Sequence, residues 1–369
     1  MLREVNRSIG KLTRLKHLNL KGCTGLQVLP GEVGSLEAVD EIFLNGGHHN
    51  FTSLPESIGI TELPNSLGDL KKLEKLFLLI KLPDSIGNLE ELKVTKMDSC
   101  RVEKLPRSIG TMKKLKESNA NCSELEGETP AEIGMLSCMR ILELYSQIGT
   151  TTESKLSRPE SLDPRRMMRQ EWAMKRRIDR MMDLRKLEIL ALCIDNVTSL
   201  PAEFSTLSQL KDLALLGLYL RCVPQISSCL LRLKFVSLYG IIKLPRISTL
   251  KQLREFVFSQ CSLQEDGFES LGVGEIEKLE HLEAVNDLTK LHGLSLPMSL
   301  KVLYVTGCKN VKKLPDLSHL KKLRVLCIKD CKELTEIPDL AELEPSPKVS
   351  ISSCDSLRIM PRTSNGIED

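Results

Sequence analysis

The apolar positions of this chain fall into a phrase that returns about every 23 residues. One full copy reads Leu12, Leu15, Leu18, Leu20 and Cys23, then Leu26, Leu29-Pro30 and Val33-Gly34. Later copies start at Leu36, Leu89, Met112, Leu136, Leu184, Leu207, Leu230, Leu250, Ile276 and Leu320. In the first copy, His17 to Lys21 alternates polar and apolar around Leu18 and Leu20, which predicts a short strand with one buried face. The other half of the phrase reads Leu-Pro-x-x-Ile-Gly, as in Leu82-Pro83 to Ile86-Gly87 and Leu105-Pro106 to Ile109-Gly110. There the proline presets φ for a first helical position and Ser or Asp caps nearby. The Ile points inward, and the Gly ends the turn with a positive φ.

A period of this length with L-x-x-L-x-L-x-x-N/C-x-L is the leucine-rich repeat. Successive strands then lie side by side in a parallel sheet, about 4.8 Å apart. The helical turns are wider than the strands, so the stack must curve with its strands inside. The expected fold is an α/β solenoid, a curved horseshoe of about fourteen repeats with a concave parallel β-sheet and a short helical or irregular convex side. Regular blocks are expected at 1–148 and 184–361, separated by a non-repeat insertion at 149–183 and followed by a polar tail at 362–369. The first block starts in mid-phrase, since Leu2, Val5 and Ile9-Gly10 match the second half of a repeat. That start, with no polar capping module before it, leads us to expect a fragment or a truncated product. Two copies are compressed: Ile58-Gly59 runs straight on to Leu63-Pro64, and Leu76 to Leu82-Pro83 is short. Degenerate repeats and lost coding sequence fit this equally.

The insertion changes character halfway. Thr150 to Pro164 is polar and turn-rich, whereas Arg165 to Asp183 reads as a basic amphipathic helix. Met174, Ile178 and Met181 share one face of it, with Met168 and Trp172 on another stripe. Such a helix suits an acidic partner, a membrane surface or calmodulin. The plainer expectation is an excursion whose apolar stripe packs on the solenoid and whose charges are solvated.

The formal net charge is +3, too small to mark a polyanion binder, and no nucleic-acid partner is expected. Of twelve cysteines, Cys23, Cys100, Cys261, Cys308, Cys331 and Cys354 share one repeat position, which reads as a ladder of reduced, packed thiols. A thiol there replaces the usual Asn and donates only weakly, so packing must carry more of the stability. No apolar leader opens the chain and no run of 18 apolar residues occurs, so we expect no membrane span. The expected setting is cytoplasmic, with nuclear entry left open. No phosphate-binding loop, dinucleotide fingerprint or kinase set is present, and no cofactor or enzymatic activity is expected. His48-His49 reads as a polar turn. Cys327 and Cys331 look like a ligand pair until the register turns them to opposite faces.

The polar positions flanking the inward leucines point out of the core, onto the open sheet face. Register places Phe43, Phe77, Lys96, Tyr145, Tyr239, Tyr304 and Lys329 there. Aromatic residues are only 4% of the chain, so a set of them on one face is a candidate docking surface for a protein ligand.

The phrases LPESIG, LPDSIGNLEEL and LPRSIGTMKKLK resemble the repeats of plant intracellular immune receptors. The stretch from Leu300 to Glu344, with its Cys-x-x-Leu-x-x-Leu/Ile-Pro-Asp-Leu style, is similar to the repeat region of plant disease resistance proteins of the Toll/interleukin-receptor type with a nucleotide-binding domain. The resemblance implies a sensor region that recognises a pathogen effector or a guarded host protein and holds an adjacent nucleotide-binding domain inactive. That domain and the Toll/interleukin-receptor domain are missing from this chain, so NADase activity and ATP/ADP binding do not carry over. Plant Ras-group repeat proteins share Leu-Pro-x-x-Ile-Gly, which leaves a constitutive signalling scaffold as the alternative, beside a non-functional receptor remnant.

Overall fold

The computed structural model describes residues 3–23, 25–26, 28–44, 63–78, 82–98, 105–121, 130–145, 175, 178–194, 197–217, 220–237, 244–259, 271–285, 295–308, 310–337, 340, 343, 346–358 and 367–368. The chain divides into two compact units, Met1–Cys193 and Ile194–Asp369. In the first, the described strands pair in parallel and in chain order: β1 (His17–Asn19), β2 (Glu41–Phe43), β3 (Lys75–Leu78), β4 (Val94–Asp98), β5 (Glu117–Asn121), β6 (Ile141–Tyr145) and β7 (Ile189–Cys193). The second holds β8 (Asp212–Gly217), β9 (Arg232–Ser237), β10 (Glu255–Ser259), β11 (His281–Val285), β12 (Val302–Thr306), β13 (Val325–Lys329), β14 (Lys348–Ser352) and β15 (Ile367–Glu368), again parallel and sequential. Each unit is a stretch of leucine-rich repeat solenoid.

Register is kept although repeat length is not. Leu76 pairs with Thr95 across a short repeat, and Leu142 pairs with Leu190 across the long one. The period-2 burial pattern explains why. Ile42, Leu76, Leu142 and Leu190 are all fully buried, and a one-residue slip would turn each to solvent. Thr95 and Ser118 occupy the same inward column and are 1% exposed. Thr95 Oγ1 donates to Ser118 Oγ at 3.2 Å, which satisfies a polar pair where leucine stands elsewhere.

The outer turns differ from expectation in three ways. They are single 3₁₀ turns, at Gly31–Ser35, Asn65–Asp69, Asp84–Asn88, Arg107–Thr111, Ala131–Met135 and Ala202–Thr206. The preceding proline stands at the cap position itself, with φ near −67 and ψ near 147 at Pro30 as the pattern, and no Ser or Asp side chain caps the turn. The turn is closed instead by its backbone, as where Leu89 N–H donates to Ile86 O at 3.1 Å. The glycines do not need positive φ. A Cβ on Gly34, Gly68, Gly87, Gly110 or Gly134 would lie 2.7 Å or less from a backbone oxygen of the next turn, at Ser66, Ser85, Ser108, Glu132 or Arg180. Close approach between stacked turns therefore selects glycine.

Positive φ occurs one residue before the ladder cysteines instead. Gly22, Gly307, Asp330 and Ser353 have φ of 74, 68, 54 and 54, and precede Cys23, Cys308, Cys331 and Cys354. This left-handed residue turns the chain off the strand and drops the thiol inward. Cys308 and Cys331 are fully buried, and Cys354 is half-buried. The Cys331 thiol donates to Lys329 O at 3.4 Å and the Cys354 thiol to Ser352 O at 3.4 Å. A hydrogen bond with Cys308 and burial hold the Cys331 thiol well above its ordinary pKa, which keeps it protonated and unreactive. Cys100 and Cys261 lie outside the described residues.

The end of the expected insertion joins the solenoid. Ile178, Met181 and Met182 are buried, and Leu184 N–H donates to Met181 O at 3.0 Å, the same closure as in the 3₁₀ turns. Residues 178–181 are the end of an α-helix, as the sequence led us to expect, and this helix end takes the place of the outer turn before β7, with Arg180 O against Gly134. Met168, Trp172 and Met174 lie outside the described residues.

Candidate protein-docking face

Outward columns cross the described strands of each unit. In the first unit the central column runs Asn19, Phe43, Phe77, Lys96, Asn119, Glu143 and Ala191. Phe43, Phe77 and Lys96 are consecutive in it and half-buried. The two phenylalanine rings stack, with centroids 4.6 Å apart and planes 11° apart. Farther along, Asn119 Nδ2 donates to Glu143 Oε2 at 2.5 Å. The column on one side is an internal charge ladder. His17 Nδ1 lies 3.2 Å from Glu41 Oε2, and Lys75 Nζ lies 2.6 Å from Glu41 Oε1. Lys75 beside it holds the Glu41 carboxyl below the usual carboxylate range, and Glu41 in turn raises the Lys75 ammonium. Tyr145 ends β6 in register with Asn121, one column over, and its side chain lies outside the described residues.

In the second unit the central column runs Ala214, Lys234, Val257, Glu283, Tyr304, Cys327 and Ser350. Tyr304 packs its ring 5.4 Å from that of His281, and His281 Nε2 lies 3.8 Å from Glu283 Oε2. Lys329 is exposed and occupies the next column, between Thr306 and Ser352. Cys327 faces outward, half-buried, while Cys331 is inward, so the two thiols do not converge. Tyr239 and His48-His49 lie outside the described residues.

Of the seven sequence candidates, the structure brings Phe43, Phe77 and Lys96 into one contiguous patch and puts Tyr304 with Lys329 on neighbouring strands of the second unit. Sequence reasoning missed the His17–Glu41–Lys75 ladder and the His281–Glu283–Tyr304 cluster. Both are visible only when strands are aligned, since Glu41 and Lys75 stand 34 residues apart. No group of three or more His, Cys, Asp or Glu suited to a metal ion occurs among the described residues. No helix among them is long and apolar enough to cross a membrane.

No protein-family model matches the chain. Over 113 residues it is 35% identical to Protein SUPPRESSOR OF npr1-1, CONSTITUTIVE 1 of Arabidopsis thaliana, a match covering 27% of this chain and 8% of that protein. The chain thus spans a small part of that relative's length. Among solved structures it is similar to a leucine-rich repeat protein of Leptospira interrogans, at 20% identity over 90% of this chain and 88% of that one, with a TM-score of 0.51. It is also similar to an internalin of Listeria monocytogenes, at 15% identity over 97% of this chain and 90% of that one, with a TM-score of 0.55. At these identities the likeness speaks for the fold alone.

Proposed function

We propose that this chain is a non-enzymatic recognition module whose open sheet face takes a protein ligand, and that it serves plant intracellular immunity. In that role it senses an effector or a guarded host protein and restrains a nucleotide-binding domain outside this chain. The observation that carries the docking reading is the Phe43–Phe77 stack with Lys96 beside it, on a face where side chains stand out from a rigid sheet. The plant setting rests on the Leu-Pro-x-x-Ile-Gly and Cys-x-x-Leu phrases and on the local match to the Arabidopsis protein. The cytoplasm is the proposed location.

The test is proximity labelling in plant leaf cells, with the chain fused to a biotin ligase. A labelled partner should be lost from the Phe43→Ser/Phe77→Ser double variant and kept by Glu203→Lys, on an exposed outer turn. Loss with Glu203→Lys alone would move recognition to the outer side and overturn this reading.

A further inference from the structure

Phe43 and Phe77 stand apart from the other phenylalanines. Phe204, Phe235, Phe256 and Phe258 are 0–2% exposed and serve the core. Phe43 and Phe77 are the described phenylalanines that point outward, in a column otherwise made of Asn19, Lys96, Asn119, Glu143 and Ala191. Nothing in the strand pattern requires rings there, since the alternation asks only for polar or small residues. Stacking nearly parallel, the two rings make one flat apolar platform on adjacent strands, and stacking surfaces of this kind prefer another ring laid on or against them.

The charges around the platform are mostly settled internally. His17, Glu41 and Lys75 pair along one border, and Glu143 is engaged by Asn119 beyond it. Lys96 lies next to Phe77 in the same column, directly across the strand pair, and forms no ion pair with a described residue. Glu117 lies on the next strand across from Val94, and Asp98 stands two residues beyond Lys96 in β4, in register with Asn121. An ammonium beside an apolar platform is desolvated when a partner covers it, which costs free energy unless the partner supplies an anion.

We propose that Phe43, Phe77 and Lys96 form a two-part subsite for an aromatic side chain flanked by a carboxylate, so that the protein ligand docks through an aromatic–acidic peptide segment. This rests on the docking-face reading above and narrows it to a partner chemistry. The ring of the ligand lies on the Phe43–Phe77 platform, and the neighbouring Asp or Glu meets Lys96.

The test is selection of a random-peptide phage library on the whole chain, followed by binding of synthetic versions of the enriched peptides. Enriched sequences should carry Trp, Tyr or Phe next to Asp or Glu. Phe77→Ala should weaken them at least about tenfold. Selection on Lys96→Glu should exchange the acidic neighbour for Lys or Arg while the aromatic residue stays. That charge swap leaves the core untouched, and circular dichroism melting verifies that both variants fold. An empty selection, enriched peptides without the aromatic–acidic pair, or unchanged affinity on both variants overturns the subsite. Peptides that ignore both variants but fail on Tyr304→Ala overturn the subsite and leave the docking face standing. Peptides that fail only on Glu203→Lys overturn both.

Discussion

The repeats around Ile86 and Ile109 in the first unit and those around Cys308 and Cys331 in the second use the same strand alternation but close it differently. In the first set, the outer turns stack so tightly that Gly87 and Gly110 have no room for a Cβ. In the second, the turn after the strand does the specific work: a left-handed residue drops a thiol into the core. The strand face is under the same constraint in both, because alternation alone decides which side is buried. The lesson is that a solenoid tolerates different turn chemistry on one edge as long as the inward columns stay apolar and in register. A docking face can then vary freely, since its residues neither fill the core nor close the turns.

The comparison is broken most severely at the shared element. Leu326 is 0% exposed in β13, so Leu326→Asp would bury an unpaired carboxylate and should cost about 3 to 5 kcal/mol. Lys329→Ala, on the exposed face of the same strand, should stay within about 0.5 kcal/mol. Urea unfolding of both variants checks this, and equal midpoints would show that the inward column is wrong. Next in size comes the turn stack. Gly110→Val should cost about 1 to 3 kcal/mol because its Cβ meets Glu132 at backbone distance. Ser205 holds the matching place after Phe204 in a repeat whose turn carries a side chain there, so Ser205→Val should cost far less. A similar loss at both sites would mean that tight stacking is not what selects glycine.

Much of this was legible because period and alternation act within a few residues. The strand columns follow from Leu18, Leu142, Leu213 and Leu326, each buried as the phrase implies. Phe43, Phe77 and Lys96 were placed on one face by the same rule. The turn chemistry was not legible, since the distance from Gly34 to Ser66 is a property of two stacked turns, and neither turn encodes it alone. Thr95 and Ser118 put hydroxyls at inward positions where the phrase asks for leucine, and only their pairing across β4 and β5 makes burial acceptable. The left-handed position was half visible. Gly22 and Gly307 signal it, but Asp330 and Ser353 disguise it. In the docking face, the ring stack and the charge ladder depend on which strands are neighbours, and the irregular spacing between β2 and β3 hides that.

The left-handed position gives a smaller prediction with a known sign. Ser353 holds φ of 54 with a side chain that strains against it, so Ser353→Gly should raise stability by about 0.5 to 1 kcal/mol. Gly307→Ser should lower it by a similar amount. Thermal unfolding of the pair decides the matter, and the idea fails if both substitutions move the midpoint the same way.

The smallest effect lies on the docking face. Lys75 holds the Glu41 carboxyl below its ordinary 4.5, so the folded chain binds that proton more weakly than the unfolded chain. The sign follows by linkage: the contribution of Glu41 is fully present above pH 4.5 and fades as the pH falls through the lower folded value. Glu41→Gln should therefore flatten the acid side of the stability curve without altering it near neutrality beyond the loss of one surface ion pair. Both partners are reached by solvent, so the effect should shrink as salt is added. Unfolding midpoints at pH 3 to 7, in low and high salt, would measure it. A Glu41→Gln variant with the same acid limb as the parent would show that the His17–Glu41–Lys75 ladder is only loosely formed, and the platform beside it would lose its fixed border.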